Sequence, residues 1–172
     1  MDGGADTSVI GEGWVIEHYT MRKAKVVGFD EKASKGGLPI VSGLTVTKLK
    51  TGEEVILWAH EAVYNDTGVI LLSTYQMREF GLDVDDKAKH HEGKSAITVD
   101  EETIVPLQTR GALSTFKFRQ PTQEDYDNLR VVNITQDDIW IPSNKNGPEW
   151  EDEEELGGEV LEEVVVQANL MR

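Results

Sequence analysis

Cysteine is missing from all 172 residues, which excludes a disulfide framework, a Cys-x-x-Cys redox site and a thiolate metal centre together. Cations are scarce: 17 Lys and Arg stand against 32 Asp and Glu, a formal net charge of −15. A chain so acidic lacks the clustered Lys and Arg that neutralise phosphates, so direct nucleic-acid binding is not expected. Long apolar runs are absent too. The longest, around Val55-Ile56-Leu57-Trp58-Ala59 and Val69-Ile70-Leu71-Leu72, are far too short for a membrane-spanning helix, and no membrane association is expected. The first residues are acidic and glycine-rich rather than basic and apolar, so no secretory signal is read there, and the expected location is intracellular, in the cytoplasm. Histidine numbers four. His90-His91-Glu92 is the one local cluster, and without a third ligand at suitable spacing it predicts no metal site. No cofactor is implied by any segment.

What is present is unevenly distributed. Residues 1–120 carry 18 acidic and 14 basic residues, the mixed charge of a globular domain, whereas residues 121–172 carry 14 and 3. The second part therefore reads as an acidic extension. A hydrophobic share of 38% lies below the usual globular level and predicts that part of the chain does not pack. Thr7–Ile10, Ala24–Val27, Leu44–Leu49 and Glu54–Ala59 are β-rich, with a hairpin step at Leu49–Val55. Lys35-Gly36-Gly37 reads as a mobile loop tip. Ser73 through Gly81 has a capping residue, helix formers and a terminal glycine, which predicts a short helix. Ala96–Val99 and Thr103–Leu107 predict a second hairpin, and Leu113–Arg119 a strand. Thr122 with Glu124 and Asp125 predicts a capped helix start. The Glu-rich stretch after Pro142 reads as a solvated linker, and Val160–Val166 as a short helix or strand.

Three short motifs have ordinary explanations. Gly93-Lys94-Ser95 imitates the end of a phosphate-binding loop, but Ala88 stands where the earlier glycine is required and β-branched residues follow, so a surface loop is predicted. Asp66-Thr67-Gly68, inside Tyr64-Asn65-Asp66-Thr67-Gly68-Val69, is turn chemistry between strands and lies too near the start to serve a second lobe. Asn65-Asp66-Thr67 and Asn133-Ile134-Thr135 match glycosylation acceptors by coincidence in a chain with no secretory signal.

The opening Asp2-Gly3-Gly4-Ala5-Asp6-Thr7-Ser8-Val9-Ile10-Gly11 carries more specific chemistry. A carboxylate on a tight loop, placed beside a second carboxylate, shares one proton with it because both cannot ionise at close range. Gly4 allows the sharp backbone turn such a loop needs. On the motif alone, a flexible acidic terminus is the better explanation, because three-residue motifs are common by chance. Further along stand Gln76-Met77-Arg78-Glu79-Phe80-Gly81, Ile104-Val105-Pro106-Leu107, Gly111, Phe116-Lys117-Phe118-Arg119, Pro121-Thr122, Asn133-Ile134-Thr135 and Trp140-Ile141-Pro142. In that order, over residues 2–142, the chain resembles the retropepsin-like aspartic protease region of copia-like retrotransposon polyproteins.

The resemblance implies a mainly β fold: a retropepsin-like closed β-barrel or sandwich, the acid-protease fold, with one or two short helices. It divides the chain into a retropepsin-like domain at 1–120, a family-typical extension at 121–142 and an acidic linker and tail at 143–172. It implies an aspartic endopeptidase acting on a peptide or polyprotein substrate, with Asp2 contributed by each subunit of a homodimer. Gly3, Gly4, Ala5, Asp6 and Thr7 would form the active-site loop, and Leu71-Leu72-Ser73 would pack beside it. Val27, Gly28, Phe29, Gly36 and Gly37 would belong to a flap, spanning about Val26 to Ile40, over the substrate. Two positions depart from the family pattern. Gly3 replaces the Ser or Thr whose hydroxyl bonds across the dimer, and Ser73 replaces a glycine. Only Met1 precedes Asp2, so the family's first strand is expected upstream, in a longer polyprotein of which this chain is a fragment. Two functional classes stay open: an active protease, and a non-catalytic remnant serving as a binding or spacer segment.

Overall fold

The computed structural model describes residues 5–27, 35–66, 70–111 and 113–142, together with the backbone of 163–167. In chain order the elements are β1 (Val9–Ile10), β2 (Val15–Val27), β3 (Lys35–Lys48), β4 (Glu54–Tyr64), α1 (Thr74–Glu79), β5 (Asp83–Asp85), β6 (Ala96–Thr98), β7 (Ile104–Pro106), β8 (Gln108–Arg110), β9 (Leu113–Thr115), β10 (Phe118–Arg119), α2 (Gln123–Asn128), β11 (Val131–Asn133) and β12 (Glu163–Gln167). The chain is mainly β with two short α-helices. Among the described residues no helix is long and apolar enough to cross a membrane.

β2, β3 and β4 form an antiparallel meander. The turn between β3 and β4 closes on the Leu49 N–H, which donates to Glu53 O at 2.8 Å, and Gly52 supplies the left-handed residue with φ +91°. Two short strands share the far edge of β4, both parallel to it: β1 opposite Val63–Tyr64 and β11 opposite Ile56–Trp58. β10 pairs with Val46–Thr47 of β3, and β12 runs parallel to Lys23–Val27 of β2. Separate small sheets are built by β5-β6-β7 and by β8-β9.

The expected closed barrel is corrected by this topology. The main sheet runs β1-β4-β3-β2-β12 and its two ends do not pair among the described residues. Closure would need strands joining β12 to the β1 side, and β5–β9 are committed instead to the two small sheets. Local readings change as well. Lys35-Gly36-Gly37, expected as a loop tip, begins β3, with Lys35 in register with Val26. Leu113–Arg119 is split, because β9 folds back on β8 while β10 crosses to β3. The Thr47 hydroxyl holds that crossing by donating to Lys117 O at 2.7 Å. The segment near Val160–Val166 supplies a strand, β12.

Strand periodicity places the core. Val55, Leu57 and Ala59 point from β4 to one face, where Met77 of α1, Val84, Ile97 and Val105 of the small sheet, Val132 and Ile134 cover them. Ile56 points to the other face and packs with Leu44, Val46, Trp58 and Leu129. Residues 121–142 thus cover both faces of the sheet that the first part of the chain builds.

α2 is fixed by charge as well as by packing. Thr122 and Asp125 form a reciprocal capping box. The Arg119 guanidinium donates to both Asp125 oxygens, at 2.6 and 2.9 Å, and this pairing holds the Asp125 carboxyl well below the usual carboxylate range, with the Thr122 N–H adding to it. A depressed folded-state pKa stabilises above the unfolded value of about 4, and the effect is lost as pH falls toward the folded value. Asp125→Asn should therefore lower the melting temperature near neutral pH, and the gap from the wild type should close as pH drops from about 5 to about 2. Thermal melts followed by circular dichroism across that range check this.

Candidate functional site

The segment following the predicted active-site loop is held from three sides. The Val9 N–H donates to Leu71 O at 2.7 Å and the Leu71 N–H donates back to Val9 O at 2.8 Å. On the β4 side, the Val63 N–H donates to Ser8 O at 2.8 Å and the Asn65 N–H to Ile10 O at 2.9 Å. Gly11 ends this passage because nothing larger fits: a Cβ there would lie 2.3 Å from Asn65 O.

Ser73 supplies the next contacts. Its hydroxyl donates to Ala5 O at 2.6 Å and accepts from the Gln76 N–H at 3.0 Å, so it caps α1 and pins Ala5 at once. Its own N–H donates to the Ser8 hydroxyl at 3.0 Å. Ser73 therefore ties Ala5, Ser8 and the start of α1 together through one side chain and one backbone N–H.

Gln76, 1% exposed, crosses the interior behind these bonds. Its Oε1 accepts from the Ser8 N–H at 2.9 Å, while its Nε2 donates to Glu61 O at 3.2 Å. Glu61 sits at φ +53° where β4 carries one residue more than β3 between the Val41–Ala62 and Gly43–Ala59 pairs. Its buried carboxylate is ion-paired with Arg22 and accepts from the Trp140 N–H at 3.0 Å. Trp140, itself 2% exposed, returns to the loop, its indole N–H reaching Thr7 Oγ1 at 3.0 Å and Asp6 O at 3.2 Å. The Tyr75 ring packs against Trp140 at 5.6 Å. Burial, followed by the carboxylates of Glu79 and Asp6, pushes the Tyr75 phenol up.

Ala5, Asp6 and Thr7 thus lie in one assembly with Leu71, Leu72 and Ser73, whereas Asp2, Gly3 and Gly4 lie outside the described residues. Of the expected flap, Val27 ends β2, Gly36 and Gly37 lie in β3, and Gly28 and Phe29 lie outside the described residues. The hairpin that carries them packs on the loop side. Ala24, Val26, Leu38 and Ile40 form one apolar cluster with Val9, Val63 and Leu71. No family model matches the chain, and no curated protein or solved structure matches it.

The remaining motifs have structural work. Lys94 pairs with Asp83 at 3.0 Å and Ser95 donates to Lys87 O at 2.9 Å, which closes a surface loop. The ion pair raises the Lys94 ammonium pKa. His90 and His91 share a 3-10 turn, with ring centroids 4.0 Å apart. Asp66 lies in a turn, exposed, 3.9 Å from the Lys35 ammonium. Sequence reasoning missed Gln76, Glu61 and Arg22 as a connected group. The available signal was Glu61, a charge set within a strand of inward and outward apolar residues.

Gln76→Leu keeps the volume but strands the Ser8 N–H and the Glu61 carbonyl in the interior. Two such groups should cost about 2–5 kcal/mol. Urea unfolding of the variant should show the midpoint lowered accordingly, and Ser73→Ala should lower the unfolding free energy by about 1–3 kcal/mol.

Proposed function

We propose that this chain is one subunit of an aspartic-type endopeptidase of retropepsin-like fold, which cuts a retrotransposon polyprotein with a dyad formed by Asp2 from each of two copies. The observation that supports the reading is the clasp on Ala5–Val9. Backbone bonds to Leu71, the Ser73 hydroxyl on Ala5 O and the Trp140 indole on Asp6 and Thr7 hold the root of the Asp2 loop from separate directions. A carboxylate that must meet its twin needs so rigid a base.

In that dyad the two carboxyls share a proton. The ionised one takes a proton from a bound water as the water oxygen attacks the peptide carbonyl, and the protonated one hydrogen-bonds the carbonyl oxygen. A proton then passes to the amide nitrogen as the C–N bond breaks. The apolar cluster in which Ala24, Val26, Leu38 and Ile40 of the flap hairpin meet Val9, Val63 and Leu71 would anchor the base of the flap beside the loop.

One residue favours a second reading. Gly3 has no hydroxyl to bond across the dimer, and a remnant that keeps the fold without cutting would tolerate that loss.

Peptidase activity against protein concentration and pH separates the two. Cleavage should have an acidic optimum and a specific activity that rises with concentration, Gly3→Thr should raise it, and Asp2→Asn should lower it by about 10²-fold or more. Cleavage that survives Asp2→Asn removes the aspartic mechanism. Peptide binding without cleavage, in the Gly3→Thr chain as well, establishes the remnant.

A further inference from the structure

β2 changes direction at Met21, a non-glycine residue at φ +68° and 91% exposed, where the pairing with β3 shifts between Tyr19 and Lys23. The bulge separates the strand into two halves. The second half, Arg22–Val27, holds Arg22, Lys23 and Lys25 within four residues of an otherwise acidic protein. Its outer edge is the one that β12 occupies, in parallel register, Glu163 opposite Lys23 and Val165 opposite Lys25.

A sheet edge offers unpaired N–H and C=O groups to any extended chain, and such edges are the common seat for peptide addition. The occupant here is distinctive in sequence. Glu162-Glu163 precedes Val164-Val165-Val166, β-branched residues that favour the extended form. Between Pro142 and Glu163 lie residues 143–162, with eight acidic residues against one lysine. Register thus sets one acidic residue, Glu163, opposite the cationic Lys23, and the sequence before it is strongly acidic. A tether of that length holds its end near the edge at an effective concentration on the order of millimolar, so modest pairing suffices.

We propose that the outer edge of β2 over Lys23–Val27 is a docking edge for an acidic, β-branched extended peptide, and that the chain's own Glu163–Gln167 is its tethered, displaceable occupant. The pairing is made in cis, and its strength depends on salt because cations on β2 meet acids on the tail. The inference stands apart from the proposed proteolysis and does not need Asp2 to be active.

The test uses the full chain and a fluorescent synthetic peptide of residues 160–170 as the probe. Val164→Pro with Val165→Pro removes two backbone donors from β12 and frees the edge. The variant should bind the probe roughly tenfold or more tightly than the wild type. Hydrogen exchange of those amides of Lys23–Val27 that face β12 rather than β3 should be slow in the wild type, fast in the variant, and slow again when the probe is added. Lys23→Glu with Lys25→Glu in the variant should weaken probe binding, as should raising salt from about 0.05 to about 0.5 M. Equal probe affinity for wild type and proline variant, binding indifferent to the charge reversals, or fast exchange in the wild type overturns the proposal. A wild type that dimerises with rising concentration while the proline variant stays monomeric overturns the assignment in cis, because β12 is then exchanged between copies.

Discussion

One buried amide joins the parts that matter. Gln76 offers an acceptor to the Ser8 N–H and a donor to the Glu61 carbonyl, so a single side chain fixes α1, the segment entering β1 and the bulge of β4. Neither backbone group has an easy alternative partner in the interior, where an unmade hydrogen bond costs more than a made one contributes. From the bulge the constraint spreads outward. Glu61 turns its carboxylate toward Arg22 on β2 and toward the Trp140 N–H. Two bulges, at Met21 and Glu61, are thereby locked to one another through an ion pair that is stable only while both charges stay partnered.

This arrangement explains which parts of the protein could be read from its sequence. The cap at Ser73, the box at Thr122 and Asp125, and the Leu49–Val55 turn depend on residues a few places apart, and they were legible. The division of Leu113–Arg119 was not. Its two halves take different partners, β8 and β3, and nothing within the segment announces that. Lys35-Gly36-Gly37 misled for the same reason: glycine lowers strand preference locally, yet pairing with Val26 of β2 overrides it. Barrel closure was an expectation of the family resemblance alone, and the strand order among the described residues does not bear it out.

The candidate site was legible in part. Placing Leu71-Leu72-Ser73 beside the loop came from the resemblance alone; Ala5 and Val9 bond to that segment, while Asp2 lies outside the described residues. What Ser73 contributes there could not be read from its neighbours, because its hydroxyl bonds Ala5 O, 68 residues away in the chain. Of the Arg22–Glu61–Trp140 group only Glu61 stood out, as a charge inside an apolar strand; its partners are scattered along the chain and meet it only through the fold.

The Trp140 contact has a consequence for how the protein is made. Its indole reaches back across 133 and 134 residues, to Thr7 and Asp6, and β11 lies in parallel against a strand that ends nearly seventy positions earlier. Contacts of such span form late, because the loop-closure entropy must be met before the contact returns anything. During synthesis the hairpins of β2, β3 and β4 can pair as they emerge, but the root of the loop stays unclasped until the last residues of the extension have left the ribosome. Residues 5–7 thus gain their indole contacts only after the segment carrying Trp140 has been made, however early the hairpins pair.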